Sequence, residues 1–233
     1  MTGTLYGVGL GPGDPELLTL KAHRLIGSAD VIAYPTLAGS ESFARAIVAD
    51  LIPESTPEIR IDIPMTEARE PAQTSYDEGA TAIADALDRG KDVVALCEGD
   101  PLFYGSFMYL HGRLSGEYQV EIVPGVTSMT ACAARAGLPL AARNEMVSVI
   151  PAPLPEEALA KKLEAADTAV IMKLGRHLPK VRRVIASAAL EDRAVYIERA
   201  TLSSERCHPL AEAPDSAPYF SMILVAKGAD PWL

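Results

Sequence analysis

The sequence predicts an α/β protein built in two halves, and three observations carry that expectation. Strand-like and helix-like segments alternate from the start of the chain at intervals of ~25–30 residues, the rhythm of a doubly wound parallel sheet. The run 92–97 (DVVALC) is apolar from Val93 onward, as in a strand buried on both faces. After Pro124-Gly125 the texture changes to small-residue and proline-punctuated segments. A boundary there gives domains 1–124 and 125–233, with a cleft between them as the usual place for a ligand.

Taken in order, residues 4–10 (TLYGVGL) read as a short buried strand that runs into Gly11-Pro12-Gly13-Asp14-Pro15. The segment 15–27 has helical spacing, with Asp14 as N-cap, Pro15 at N1, Glu16 as a first-turn acid and Gly27 at C′. A second strand (ADVIAYP) follows, then an amphipathic helix over 40–51 and an alternating strand over 59–63. Residues 74–89 form a third helix closed by Gly90. The DVVALC strand breaks at Glu98-Gly99-Asp100-Pro101 and resumes as a helix, SFMYLHGRL, with Asp100 suited to N-cap and Pro101 to the first turn. Residues 120–123 make the fifth strand. Beyond the boundary, TSMTACAARAG is a small-residue helix with Thr127 as N-cap and Gly137 as its stop. Four strand-like runs (MVSVI, TAVIMKL, AVYIERATL, YFSMILVAK) then alternate with the helices PEEALAKKLEAAD and LPKVRRVIASAAL, and prolines near 151–155 and 209–218 mark loops.

Composition narrows the function classes. A chain of 233 residues with 48% hydrophobic and 22% charged residues is long enough for a sizeable core and ordinary for a globular protein. No apolar run approaches the ~18 residues that would span a bilayer. The first residues lack a basic stretch and are broken by Gly and Pro, so no secretory signal is expected. Three dispersed cysteines and four scattered histidines show neither CxxC nor HExxH spacing. That argues against a disulfide framework or a protein-ligated metal, and fits the reducing cytoplasm. A net charge of −10 speaks against non-specific nucleic-acid binding, though a local basic patch can still hold an anionic small ligand.

Two loops of the same grammar, strand then glycine-rich turn then helix, lie near residues 11 and 99. Such loops at the carboxyl ends of parallel strands are where open α/β sheets bind ligands. A dinucleotide fingerprint GxGxxG starting at Gly7 fails because Pro12 stands where its last glycine belongs, and the second strand ends in Tyr34-Pro35 rather than in a ribose-binding acid. The phosphate-binding GxxxxGK[ST] pattern is absent.

What remains is GxGxGPGDPxLLTLKA over 7–22, EGDPxFYG over 98–105 and VPGVTS over 123–128. Together, and in that order, they resemble the tetrapyrrole methyltransferases, and the resemblance covers essentially the whole chain. GDPLFYGSFMYL, VIMKLGRHLPKVR and APYFSMILV are most like the branch that methylates C-20 of precorrin-2 in cobalamin biosynthesis. The resemblance implies the tetrapyrrole methylase (class III methyltransferase) fold: a parallel five-stranded N-terminal sheet, a mixed C-terminal sheet, and S-adenosylmethionine folded between the domains. It implies transfer of a methyl group to give precorrin-3A, release of S-adenosylhomocysteine, and a cytoplasmic homodimer. Carried onto this sequence, the cofactor contacts are Pro12, Glu98, Gly99, Asp100, Phe103, Thr127, Ser128, Met172 and Ala200. Most relatives have a second glycine where this chain has Glu98, whose carboxylate would reach a ribose hydroxyl or the cationic end of the cofactor.

An octacarboxylate substrate needs cations. The basic run 173–183 (KLGRHLPKVRR) carries five formal positive charges and no acid. Lys173 and Arg176, directly after a strand edge, are the substrate-binding candidates; Lys180, Arg182 and Arg183 equally suit a solvated helix face, and Arg143 and Arg113 are further options. Methyl transfer asks little of side chains beyond positioning and water exclusion. Tyr104, Glu98, Asp100 and His177 stand as alternative proton acceptors, with no catalytic residue named. Alternatives left open are a cobalt-containing substrate, another ring position, and a non-catalytic module binding a nucleotide-like ligand. Without the joint occurrence of the motifs, Met172 reads as core, Thr127 and Ser128 as helix caps, and Phe103 as packing.

Overall fold

The computed structural model describes residues 1–64 and 70–228, and the chain divides into two compact units, Met1–Thr127 and Ser128–Leu233. The first is a parallel sheet of β1 (Thr4–Gly9), β2 (Val31–Leu37), β3 (Glu58–Ile63), β4 (Val93–Cys97) and β5 (Gln119–Val123), in the order β3-β2-β4-β1-β5. Central β4 is buried at every position, as its unbroken apolar run requires.

Helices cover both faces. Helix α1 (Leu20–Gly27) and α2 (Phe43–Ile47) bury Leu25, Ile26, Ala44 and Ile47 against Val8, Ile32, Val94 and Leu96. On the opposite face α3 (Glu70–Asp88) and α4 (Phe107–Leu114) bury Ile83, Leu87, Phe107 and Leu110 against Leu5, Ala33, Val93 and Ala95. Alternate residues of each strand serve alternate faces, so the two cores are set by the period of two.

The second unit is a mixed sheet of β6 (Val147–Pro151), β7 (Thr168–Met172), β8 (Ala194–Glu198), β9 (Arg206–Pro209) and β10 (Ser221–Ala226), in the order β6-β7-β10-β8-β9. Only β6 and β7 run parallel; β10 is antiparallel to β7 and β8, and β9 to β8. Helices α6 (Glu156–Ala165) and α7 (Leu178–Ser187) pack one face through Leu159, Leu163, Leu178, Val181 and Ile185. Helix α5 (Ser128–Ala136) packs the other through Cys132 and Ala133.

Element boundaries depart from expectation where a closer cap intervenes. The helix expected over 15–27 divides: Asp14 caps a 3-10 turn, Pro15–Leu17, through its Oδ1 and Glu16 N (2.9 Å), and Thr19 then caps α1 through Ala22 N (3.1 Å). Gly27 is the last helical residue and Ser28 the C-cap. The helix expected from residue 40 starts at Phe43, because Ser42 Oγ accepts from Arg45 N. Strand β9 was not expected. It is a four-residue edge strand containing a proline, and such a strand leaves little pattern in sequence.

Candidate functional site

Strands β1 and β4 are neighbours, yet the chain leaves β1 toward β2 and leaves β4 toward β5, in opposite directions. Their carboxyl ends therefore bracket the switch point where open α/β sheets hold ligands. The GPGD and EGDP loops meet there. Gly99 N donates to Gly11 O (2.8 Å), Gly11 N donates to Gly99 O (3.2 Å), and Leu10 N donates to Cys97 O (2.9 Å).

A third loop closes the junction. A Cβ on Gly125 would lie 2.0 Å from Gly99 O and 2.9 Å from Gly9 Cα, and one on Gly9 would lie 2.6 Å from Gly125 N. Backbone meets backbone here, so only glycine fits. Gly99 itself, at φ 64°, has nothing within 4 Å of where a Cβ would stand. Its bare backbone faces open space, a wall that a nucleoside can approach.

Asp100 ties this junction together. Its Oδ1 accepts from Leu102 N (3.0 Å) and Phe103 N (3.1 Å), and its Oδ2 accepts from Gly125 N (3.1 Å). The expected role as N-cap of an immediate helix is therefore corrected: α4 begins only at Phe107. The intervening turn passes through Tyr104 in the left-handed region (φ 56°), and a Cβ at Gly105 would stand 2.4 Å from Asp100 O. With both carboxylate oxygens on backbone N–H groups, Asp100 organises the loops rather than serving as a ready proton acceptor.

The other N-terminal candidates surround this clamp. Pro12 is half-buried between Gly11 (φ 75°) and Gly13 (φ 148°). Phe103 is half-buried, with its ring edge-on to Tyr104 at 5.2 Å. Thr127 is half-buried two residues beyond Gly125. Glu98 reaches solvent, and its carboxylate has no hydrogen-bond or ion-pair partner among the described residues; crowding by the surrounding protein raises it above the usual range.

The C-terminal unit holds the rest. Ser128 is the first residue of α5. Met172, the last residue of β7, and Ala200, just past β8, pack in one apolar cluster with Ile197, Met222 and Cys132. Ala200 sits between two non-glycine residues in the left-handed region, Arg199 (φ 50°) and Thr201 (φ 72°). Glu205 fastens that turn, accepting from Thr201 N (2.6 Å) and from Arg135 Nε (2.7 Å). Lys173 (φ 60°) and Arg176 are exposed after β7. His177 beside them is held below its ordinary value by burial and by the charges of Lys180 and Arg176.

Several basic candidates are occupied elsewhere. Arg113 donates to Asp77, Tyr109 O and Gln73 O, and lies over the Tyr76 ring. Lys180 donates to Leu154 O, and Arg183 pairs with Glu156. Among the described residues no three metal-ligating side chains converge, and no helix is long and apolar enough to cross a membrane. Sequence reasoning missed the buried Glu198 and the half-buried Glu205, and it held Gly9 only as one letter of a motif. The close approach of the Gly99 and Gly125 loops that keeps Gly9 bare leaves no local signal, and an acid at a strand end or in a polar turn reads as surface.

Comparison with known proteins follows the same lines. Residues 4–214 match the model of the tetrapyrrole (corrin/porphyrin) methylases. A precorrin-2 C(20)-methyltransferase of a Sinorhizobium species is 44% identical over 237 residues, covering 98% of this chain and 97% of that one. A cobalt-precorrin-2 C(20)-methyltransferase of Salmonella typhimurium is 36% identical, covering 97% and 98%. Among solved structures, a cobalt precorrin-4 methyltransferase superposes with a TM-score of 0.74 at 26% identity over 96% of this chain and 94% of its own. A uroporphyrin-III C-methyltransferase of Thermus thermophilus, in complex with S-adenosylhomocysteine, gives 0.67 at 25% identity over 97% and 92%.

Proposed function

Since the chain belongs to the tetrapyrrole (corrin/porphyrin) methylases, we propose that it moves a methyl group from S-adenosylmethionine to C-20 of precorrin-2, giving precorrin-3A. The observation that carries this reading is the junction of Gly11, Gly99 and Gly125 at the switch point, clamped by Asp100. An open glycine wall beside an unpartnered carboxylate suits a nucleoside that carries a cationic sulfur. The residues read as holding the donor are Pro12, Gly99, Phe103, Thr127, Ser128, Met172 and Ala200. Glu98 would meet the ribose or the sulfonium charge.

When bound, the donor supplies a methyl group already activated by positive sulfur. The protein's part is to hold the carbon in line, keep water away and accept the proton released at the bridge carbon. Of the four proton acceptors considered, Asp100 is committed to three backbone N–H groups. Glu98 has a carboxylate with no side-chain partner among the described residues, and crowding by the protein raises it above its ordinary range, which makes it a better proton acceptor than an ordinary carboxylate. Lys173 and Arg176 would receive substrate carboxylates.

The higher identity to the relative named for precorrin-2 than to the one named for cobalt-precorrin-2, 44% against 36%, favours precorrin-2 as the substrate. We further read the protein as a cytoplasmic homodimer acting on a small molecule, not on nucleic acid or membrane; three free cysteines and a net charge of −10 agree. Incubation with S-adenosylmethionine and either precorrin-2 or its cobalt form, followed by mass spectrometry, tests the assignment. One added methyl with stoichiometric S-adenosylhomocysteine is expected from precorrin-2. Cofactor binding with no methylated product from any tetrapyrrole would leave a binding module in its place.

A further inference from the structure

The sheet of the C-terminal unit brings four chain segments to one edge. Met172 of β7 stands opposite Met222 of β10, Ser221 of β10 opposite Glu198 of β8, and Glu198 opposite Arg206 of β9. The residues just beyond these pairs therefore share that edge: Lys173 after β7, Arg199 after β8, and Tyr219 and Phe220 before β10. Arg199 N donates to Phe220 O (2.8 Å), which locks two of these segments together.

The charges on this edge are organised from beneath. Glu198 is buried, its side chain 5% exposed, and its Oε2 accepts from Tyr196 OH (2.6 Å). Its Oε1 lies 3.9 Å from Arg199 Nη1 and 3.7 Å from Arg206 Nε. One buried carboxylate thus steadies two guanidiniums whose outer sides remain open, with 43% and 65% of each side chain exposed. Lys173 and Arg199 both adopt left-handed backbone, a conformation that persists only where the surroundings hold it and that gathers at ligand-binding turns. Beside them Tyr219 and Phe220 are 76% and 38% exposed, ring edge to ring face at 5.1 Å.

We propose that this edge is a recognition rim for a flat macrocycle fringed with carboxylates, with Lys173, Arg199 and Arg206 gripping the acid side chains, Tyr219 and Phe220 offering apolar contact to the ring, and Glu198 acting as a positioning residue for both arginines. The inference rests on the tetrapyrrole reading above and extends it to residues outside the basic run 173–183. Forked guanidiniums match carboxylates in two-point fashion, and a buried anchor lowers the cost of holding them in place.

The test uses uroporphyrin, a stable octacarboxylate tetrapyrrole, titrated by fluorescence quenching, with S-adenosylhomocysteine binding measured in parallel by calorimetry. Arg206→Gln and Arg199→Gln should each weaken porphyrin binding on the order of tenfold, the scale of losing a charge-assisted contact. Arg206→Gln should leave S-adenosylhomocysteine affinity within about twofold, well under the tenfold that 1.4 kcal/mol represents.

Glu198→Gln gives the discriminating sign. It makes the edge more positive, so a purely electrostatic attraction would tighten porphyrin binding, whereas loss of positioning weakens it. Tighter binding by Glu198→Gln would remove its positioning role. Unchanged porphyrin affinity in both arginine variants, or no porphyrin binding by the wild-type chain, would overturn the rim. Failure of the wild-type chain to bind S-adenosylhomocysteine would instead strike at the methyltransferase reading.

Discussion

Replacing Asp100 by Asn is the sharpest probe of the clamped junction. Asparagine keeps one carbonyl oxygen, which can still accept from Leu102 N and Phe103 N, but it turns an NH₂ group toward Gly125 N, where the carboxylate accepts at 3.1 Å. One bond to a charged acceptor disappears, and such bonds contribute about 1.5–3 kcal/mol each. The two that remain fall to the neutral scale of about 0.5–1.5 kcal/mol each. Asp100 is only half-buried, so water recovers part of the loss. The expected destabilisation is then about 2–4 kcal/mol, within a typical stability of 5–15 kcal/mol, and the chain still folds. The larger effect falls on the proposed donor site, because the loop carrying Gly125 and Thr127 is freed from the loop carrying Gly99 and Phe103. S-adenosylhomocysteine affinity should drop roughly tenfold to a hundredfold, or about 1.4–2.8 kcal/mol. Urea denaturation and isothermal titration calorimetry on the same preparations give both quantities. A variant with an unshifted urea midpoint and donor affinity within twofold of wild type would refute the clamp.

Three further outcomes follow from the geometry. Gly125→Ala places a Cβ 2.0 Å from Gly99 O against backbone that has no side chain to yield; it should reach the upper part of the ~1–3 kcal/mol range for overpacking and abolish donor binding, and a wild-type melting temperature would contradict this. Glu58 is held below its ordinary 4.5 by the Arg45 fork, so its pairing stabilises the fold above that value and is lost as pH falls through the lower folded value. Glu58→Gln should therefore cost up to about 1 kcal/mol at pH 7 in urea denaturation and close on wild type in acid below that range; an equal gap at both would remove the pairing as the cause. Burial raises the Cys97 thiol, and burial with the neighbouring Cys207 and Glu205 pushes Cys132 up to about 12. With Ellman's reagent near pH 8 the native chain should then expose at most half-buried Cys207, and all three thiols only in denaturant; rapid native modification of Cys97 would show that its site opens.

The five strands of the N-terminal sheet were legible because each is a local event: a short apolar or alternating run closed by glycine or proline at or just past its end. The two glycine-rich loops could be placed at strand ends for the same reason, and the three motifs together named the family. Helix starts were less legible, since Asp14, Thr19, Ser42 and Asp100 all qualify as caps and only three-dimensional competition decides which N–H groups each one takes. What the sequence alone determined, then, was the alternation of elements and the chemistry available at their ends. Tertiary structure decided which strands became neighbours, since pairing joins residues as far apart as Gly11 and Gly99, or Glu198 and Ser221, and no local pattern encodes such a distance. It also turned Asp100 from a helix cap into a clamp and Glu198 from a strand-end acid into a buried anchor. A carboxylate's role is set by the donors that folding brings to it, and those donors lie elsewhere in the chain.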